Sequence, residues 1–199
     1  MPSTPEDDEA LRRTVRFVAL ANLAYFAVEF SVALTIGSVS LFADSVDFLE
    51  DASVNFLILV ALGWSAVRRA RMGMALAVLI LVPAIATLWT AWEKFGAPVA
   101  PDATLLSLAG AGALAVNLMC AFKLVRFRSR SGSLTRAAFL SARNDALANV
   151  AIISAAFVTL IWRSGWPDLI VGLAIAAMNA NAAWEVFEAA KKEHHSAEP

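Results

Sequence analysis

The sequence predicts an all-α fold, a bundle of six transmembrane helices with both termini on the cytoplasmic side. Three observations predict it. The 199 residues are 59% apolar with a mean hydropathy of +0.66, which is typical of a membrane protein. Six apolar stretches are each long enough to cross a bilayer, which takes about 20 residues. Thirteen of the sixteen Lys and Arg residues fall on one side of the resulting topology, as the positive-inside rule requires.

The first three spans are predicted from their apolar runs and from the residues that interrupt them. The acidic residues 1–11 are expected to form a flexible tail, and a transmembrane domain then covers residues 12–190. Gly37 and Ser38 separate the first two spans, and a basic cluster separates the second from the third. The three spans are predicted at residues 13–34, 38–64 and 72–95.

The last three spans are bounded in the same way. Gly96, Pro98 and Pro101 precede the fourth span, and Gly132 lies in the basic segment before the fifth. Gly165 and Pro167 precede the sixth, after which residues 191–199 form a short tail. The spans are predicted at residues 103–124, 134–162 and 167–190.

Composition also excludes some classes of function. The net charge of −1 argues against a nucleic-acid partner. Cys120 is the single cysteine, so the chain has no internal disulfide, and its apolar neighbours indicate ordinary packing. No prosthetic group is expected.

The second span carries four acids, which is unusual for a membrane helix. A charged side chain near the bilayer centre costs about 2.5–3.5 kcal/mol, so such acids usually mark an ion or proton pathway. At helical spacing Asp44, Asp47 and Asp51 fall within about 60° of one another, whereas Glu50 points elsewhere. Three negative charges on one face require water, a cation or bound protons.

The fifth span carries a second polar face, formed by Ser141, Asp145 and Asn149. Because spans two and five run in opposite directions, Asp47, Asp51 and Asp145 are expected to reach the same depth in the middle of the membrane. Three carboxylates with a fourth oxygen would form a site for a divalent cation. The alternative is that these acids are separately protonated and only hydrogen-bond between helices.

These motifs resemble those of the cation diffusion facilitators, a family of six-span metal/proton antiporters. The resemblance begins with Asn22-Leu-Ala, Glu29 and Gly37-Ser-Val-Ser-Leu-Phe-Ala-Asp-Ser, and it continues through Asp47-x-x-x-Asp51. It resumes at Asp145-Ala-Leu-Ala-Asn-Val and at Trp166-Pro-Asp. The resemblance implies that Asp47, Asp51 and Asp145 bind the transported metal. It also implies that spans one, two, four and five surround the site, with three and six outside.

The chain departs from the family pattern at two points. Where the fifth helix of the family usually has His or Asp, this chain has Ser141, so the fourth ligand is Ser141, Asn144, water or nothing. Zinc remains the leading substrate by resemblance, while an oxygen-only site also suits manganese, iron, cobalt or cadmium. The usual cytoplasmic domain is not expected after the sixth span, so a homodimer would be held together by membrane helices. A bacterial inner membrane is the expected location.

Other polar residues have open roles. Asn22 and Glu29 share a face of span one, where they either support the metal ligands and a proton path or only join helices. Asp44, nearer the outer mouth, either draws in cations or caps its helix. Glu50 is expected to pair with a basic residue, Arg143 being one candidate.

Two other classes of function, a membrane metal sensor or subunit and a membrane enzyme, are alternatives to a transporter. Because of Ser141, the chain could be a membrane metal sensor or subunit that does not transport. Asp44-x-x-Asp47 followed by Asp51 also resembles the acidic motif of the CDP-alcohol phosphotransferases. However, Phe48 replaces the Gly of that motif and its later Gly and Asp residues are missing, which argues against an enzyme.

Overall fold

The computed structural model describes residues 5–61, 66–125 and 132–197, and the side chains of part of them. Every regular element in these ranges is an α-helix, which confirms the predicted all-α fold. The six helices are α1 (Pro5–Ile36), α2 (Val39–Ala61), α3 (Ala66–Phe95), α4 (Ala103–Val125), α5 (Gly132–Ile161) and α6 (Trp166–Ala197).

The helices follow the predicted spans closely, except that α1 and α3 begin earlier and α6 ends later than predicted. Helix α1 begins at Pro5, a residue suited to the first helical position, and continues through the segment that was expected to be a flexible tail. An ion pair between Arg13 and Glu9, four residues apart, stabilises this extension. Helix α6 likewise runs past residue 190 to Ala197.

Three stretches in the described part of the chain are long and apolar enough to cross a membrane. They are Glu9–Ile36, Ala103–Val125 and Asn144–Ile161. Helix α2 has a similar length but carries the four acids, which lower its hydropathy. Large apolar side chains face outward, for example Trp92 with 77% and Phe122 with 75% of the side chain exposed, as a lipid-facing surface requires. A membrane crossing by each of α2, α3 and α6 stays a prediction.

The helices pack as three neighbouring pairs, α1 with α2, α4 with α5, and α3 with α6. Helices α1 and α4 also touch, as do α2 and α5, so these four surround a common centre. Helix α3 contacts only α2 and α6 among the described residues, while α6 also packs on α2 and α5. The outer position expected for α3 is thus seen, whereas α6 lies closer to the centre than expected.

A tight turn joins α1 to α2 on the side that is predicted to be extracytoplasmic. Gly37 has a φ of 64°, a left-handed conformation that suits glycine. The N–H of Ser38 donates to the carbonyl of Ala33 at 3.0 Å, which closes the end of α1. The turn brings the two helices side by side, and the rings of Tyr25 and Phe48 meet with centroids 5.0 Å apart.

Helix α6 crosses α2 at very short range. A Cβ atom on Gly172 would lie 2.7 Å from the carbonyl carbon of Val39 and 2.8 Å from the nitrogen of Ser40. Only glycine leaves room for two backbones this close. The crossing brings the polar residues at the start of α6 to the outer end of α2.

Candidate functional site

Asp168 in the first turn of α6 caps the N-terminus of α2. Its Oδ2 accepts a hydrogen bond from the N–H of Val39 at 2.8 Å, and its Oδ1 accepts one from the N–H of Ser40 at 3.2 Å. The hydroxyls of Ser38 and Ser40 donate to Oδ1 at 2.6 and 2.5 Å. A carboxylate is favourable at this helix end because the first N–H groups of a helix have no partner within it. The cap fixes α6 against the helix that carries the acids.

A hydrogen-bonded chain links α1, α2 and α4 at the level of Asp51. The Asn22 amide donates to Asp51 Oδ2 at 3.3 Å, and the Cys120 Sγ donates to Asn22 Oδ1 at 3.7 Å. All three side chains are buried. Asn22 therefore joins α1 to an acid of the predicted site, and both of the roles that the sequence left open for it include such a hydrogen bond. Cys120, which the sequence indicated as ordinary packing, is part of this polar chain.

Asp47 and Asp145 bring the charges of α2 and α5 together. Asp47 of α2 and Asp145 of α5 lie close enough for their charges to interact. Asp47 and Asp145 are both partly buried, and Asp51 is 8% exposed. Helices α2 and α5 are in contact, so an acid of each lies on the two sides of one helix interface.

This cluster is not assembled as a closed metal site. Among the described side chains, no group of three or more His, Cys, Asp or Glu residues is arranged to hold a metal ion. The assignment of Asp47, Asp51 and Asp145 as ligands stays a prediction.

The two alternatives for a fourth ligand also stay predictions. Ser141 belongs to α5, but its side chain lies outside the described residues, as does that of Arg143. Asn144 is described and is exposed on α5 rather than buried among the acids. The suggested pairing of Glu50 with Arg143 therefore lies outside the described residues. Glu50 itself is partly buried, and the negative charge of Asp51 acts on it.

A second group of polar side chains lies farther toward the outer end of α2. Asp44 and Glu29 are completely buried, and none of their four carboxylate oxygens has a hydrogen-bond partner. The polar side chains that face Asp44 are Glu29 of α1 and Asn149 of α5. Asp44 does not cap α2, since Asp168 does, so the capping role that the sequence left open for it is wrong.

On both α2 and α5, an Asn lies four residues after an Asp of the predicted site and hydrogen-bonds to the backbone of that Asp. Asn55 donates its amide N–H to the carbonyl of Asp51, and Asn149 donates to the carbonyl of Asp145, each at 2.8 Å. In both residues the amide oxygen is buried without a hydrogen-bond partner. Because α2 and α5 run in opposite directions, Asn149 lies on the outer side of the acids and Asn55 on the cytoplasmic side.

Sequence reasoning missed the cap at Asp168 and the contact of Cys120. Asp168 was noted only as part of the turn before the last span, although an acid in the first turn of a helix is a common capping signal. Its partners lie 128 to 130 positions away, so nothing local indicated that it caps a different helix. For Cys120, no local signal pointed to Asn22.

The arrangement as a whole is that of an ion-translocating membrane protein. Buried acids of α1 and α2 and a partly buried acid of α5 lie within a helical bundle whose outer surface is apolar. Carboxylate and amide oxygens are ligands for divalent cations, and acids at this depth in a membrane are rarely structural.

The comparison with known families makes the class specific. The model of the cation efflux transmembrane domain matches residues 15–193. The chain belongs to the cation efflux family, and it is a transporter that moves metal cations across a membrane. This match confirms the resemblance to the cation diffusion facilitators.

Proposed function

We propose that this protein exports a divalent transition-metal cation, with zinc as the leading substrate, from the cytoplasm in exchange for protons. Asp47, Asp51 and Asp145 bind the metal. The observation that carries the proposal is the packing of α2, which carries Asp47 and Asp51, against α5, which carries Asp145. Acids of two packed helices that run in opposite directions are expected at a similar depth, and a divalent cation would neutralise them.

Exchange with protons follows from the chemistry of carboxylates. A metal ion binds only the deprotonated form, so metal and protons compete for the same oxygens. The site loads metal on the side where the acids lose their protons, and protonation on the other side releases it. Rocking of helix groups around a site at mid-membrane depth gives each side access in turn.

Closure of the site around the cation accompanies binding. Without metal the three acids repel one another, and a divalent ion reverses that repulsion. Asn22 orients Asp51 through its 3.3 Å hydrogen bond, so one ligand is already held in place. Asp47 and Asp145 then move toward it by small shifts of α2 against α5. The fourth position is filled by Ser141, Asn144 or water, or stays empty.

The ligand chemistry bears on which metal is transported. Zinc prefers sites that contain nitrogen or sulfur, whereas the predicted ligands here are oxygens. Manganese, iron(II), cobalt and cadmium are therefore competing substrates. The protein acts without a prosthetic group or enzymatic step, as a multi-pass protein of a bacterial inner membrane and as a homodimer through its membrane helices.

Transport into proteoliposomes tests the proposal. Vesicles with an acidic lumen and a luminal pH dye are supplied with each of the five metals from outside. We expect metal uptake coupled to a rise in luminal pH, and we expect both to be abolished in Asp51→Ala and Asp145→Ala. Glu93→Gln, which changes an exposed acid at the end of α3, serves as the matched control. Unchanged exchange in the two Ala variants would show that these acids do not carry the metal.

The alternative is a metal sensor or subunit derived from the same family. It predicts that the purified protein binds metal but gives no flux for any of the five ions. Flux by the protein alone in liposomes excludes this alternative.

A further inference from the structure

The side chain of Tyr25 reaches from α1 to two other helices of the bundle. Its hydroxyl donates a hydrogen bond of 2.6 Å to the backbone carbonyl of Ala109 in α4. Its ring packs against that of Phe48 in α2, with the centroids 5.0 Å apart and the planes inclined by 52°. Tyr25 therefore contacts α2 with its ring and α4 with its hydroxyl.

A glycine of α4 makes room for this hydroxyl. A Cβ atom on Gly112 would overlap the hydroxyl oxygen of Tyr25 and would lie 3.1 Å from the ring carbon that carries it. Any other residue at this position would therefore displace the Tyr25 side chain. Gly112 lies about one helical turn from Ala109, so the two residues form a notch in α4 that accommodates a tyrosine hydroxyl.

The rings of Tyr25 and Phe48 lie on the outer side of Asp51. On α1, Tyr25 follows by three residues, a rise of about 4.5 Å, the Asn22 whose amide donates to Asp51. On α2, Phe48 lies three residues before Asp51 and four after Asp44, on the same side of the helix as both. The direct route along this face from Asp51 to the outer end of α2 therefore crosses the two rings.

Aromatic rings can close such a route because they give a hydrated ion no ligand. A charge that leaves water without gaining a new partner meets a large free-energy cost, and apolar constrictions gate ion pathways in this way. The hydrogen bond to Ala109 fixes the Tyr25 ring across the route. A bond of this kind can break and re-form during a transport cycle, because its net contribution to stability is small.

We propose that Tyr25 is the outer gate of the transport path and that its hydrogen bond to Ala109 is the latch that keeps the gate closed. When the gate opens, the hydroxyl leaves the Ala109 carbonyl and the ring leaves Phe48, so water reaches Asp51 from the outer side. The role of the gate in metal release rests on the proposed function, in which Asp51 is a ligand. Closure of the outer side itself can be tested without any metal.

The single cysteine of the chain reports on this closure. Cys120 of α4 is 0% exposed, and its Sγ donates to Asn22, which places it at the level of Asp51. The full-length protein is reconstituted in vesicles with both termini in the lumen. A membrane-impermeant methanethiosulfonate reagent is then added outside in the absence of metal. The rate at which it labels Cys120 measures access from the outer side.

We expect Cys120 to be labelled at least 10-fold faster in Tyr25→Ala than in the wild type. Tyr25→Phe keeps the ring and loses the hydrogen bond, so it should give a smaller increase. Phe26→Ala is the matched control, because it removes the next ring of the same helix, which packs on Phe30 of α1. It should be labelled at the wild-type rate.

Gly112→Ala gives an independent variant. Its methyl group displaces the Tyr25 hydroxyl, so labelling from outside should rise about as much as in Tyr25→Phe. The double variant Gly112→Ala/Tyr25→Phe has no hydroxyl to displace, so its rate should equal that of Tyr25→Phe. A rate that is the product of the two increases would show that Gly112 acts independently of the Tyr25 hydroxyl and would overturn the latch.

Labelling from the opposite side separates an open gate from a loosened fold. Loss of the gate raises the rate only from outside, whereas an equal increase from both sides would overturn the proposal. Equal outside rates in the wild type and in folded Tyr25→Ala and Tyr25→Phe would also overturn it. A thermal melt identifies any variant that has lost its fold, and Tyr25→Phe and Gly112→Ala carry the test if Tyr25→Ala unfolds.

The two proposals fail in different ways. If Tyr25→Ala exposes Cys120 to the outside but wild-type vesicles exchange no metal for protons, the transport function is wrong and the outer closure stands. If wild-type vesicles exchange metal for protons while no Tyr25 variant changes the labelling of Cys120, only the gate is wrong.

Discussion

The Asn22 amide donates a hydrogen bond of 3.3 Å to Asp51 Oδ2, so a neutral residue of α1 holds an acid of α2 in a defined orientation. Cys120 of α4 supports Asn22 in turn. Three helices thus meet at a carboxylate that the sequence predicts as a metal ligand. The hydrogen bond also lowers the cost of burying the Asp51 charge before any cation arrives.

Asn22→Ala should weaken metal binding without preventing folding. Loss of a residue that orients a metal ligand typically costs 10–100-fold in affinity, and we expect a change of about that size. Equilibrium binding of Cd²⁺ to the purified protein measures it. Ser31→Ala is the control, because Ser31 is an exposed residue of the same helix whose hydroxyl donates only to the Ala27 carbonyl. Equal affinities for the two variants would contradict the orienting role.

Asp47→Asn should make the metal-free protein more stable while removing its response to metal. Neutralising one acid relieves its repulsion by Asp145, and replacements that relax a functional site commonly stabilise by about 0.5–2 kcal/mol. Thermal unfolding in detergent, with and without added Zn²⁺, measures both effects. We expect the variant to melt higher than the wild type without Zn²⁺ and to gain less when Zn²⁺ is added. A lower melting temperature in both conditions would indicate that Asp47 is a structural residue.

Asp168→Ala should destabilise the bundle strongly. The change removes four hydrogen bonds and leaves two helix N–H groups and two buried hydroxyls without their acceptor. Bonds to a charged acceptor contribute about 1.5–3 kcal/mol each when taken singly, and we expect a total loss of about 2–5 kcal/mol because the bonds are not additive. Asp168→Asn keeps one acceptor oxygen and should lie between the Ala variant and the wild type. Equal melting temperatures for all three proteins would show that the cap is dispensable.

Gly172→Ala should be destabilising where Gly96→Ala is not. A Cβ on Gly172 would lie 2.7 Å from backbone and side-chain atoms of Val39, whereas a Cβ on Gly96 meets nothing within 4 Å. Overpacking of this kind costs about 1–3 kcal/mol, while surface changes usually stay within about 0.5 kcal/mol. Thermal unfolding of the two variants side by side gives the comparison. A neutral Gly172→Ala would mean that α6 can move away from α2 at little cost.

The general architecture was accessible from sequence because it depends on local properties. Apolar length, glycine and proline breaks and the sidedness of basic residues predicted six helices, and helical spacing predicted that Asp47 and Asp51 share a face. The extension of α1 to Pro5 was missed because an acidic segment resembles a solvated tail until the ion pair between Glu9 and Arg13 is considered.

The contacts between distant helices were less accessible. The role of Asn22 was left open, and the cap provided by Asp168 was not anticipated, because each depends on how two helices pack rather than on residues nearby in sequence. The pairing of Glu29 with Asp44 needed the α1–α2 turn at Gly37 to set which faces meet. Helical periodicity predicts the face of a residue on its own helix, but the neighbouring helix decides what that face touches.

The cap at Asp168 also has a mechanical consequence. Four hydrogen bonds tie the outer end of α2 to α6 beside the crossing at Gly172, where the two backbones touch. A motion that separates α2 from α6 at this end must break all four hydrogen bonds. A rotation of α2 about this end breaks none of them. Asp168 and Gly172 therefore fix the outer end of α2 against α6, and the opposite end of α2 can change its distance from α6 without loss of these bonds.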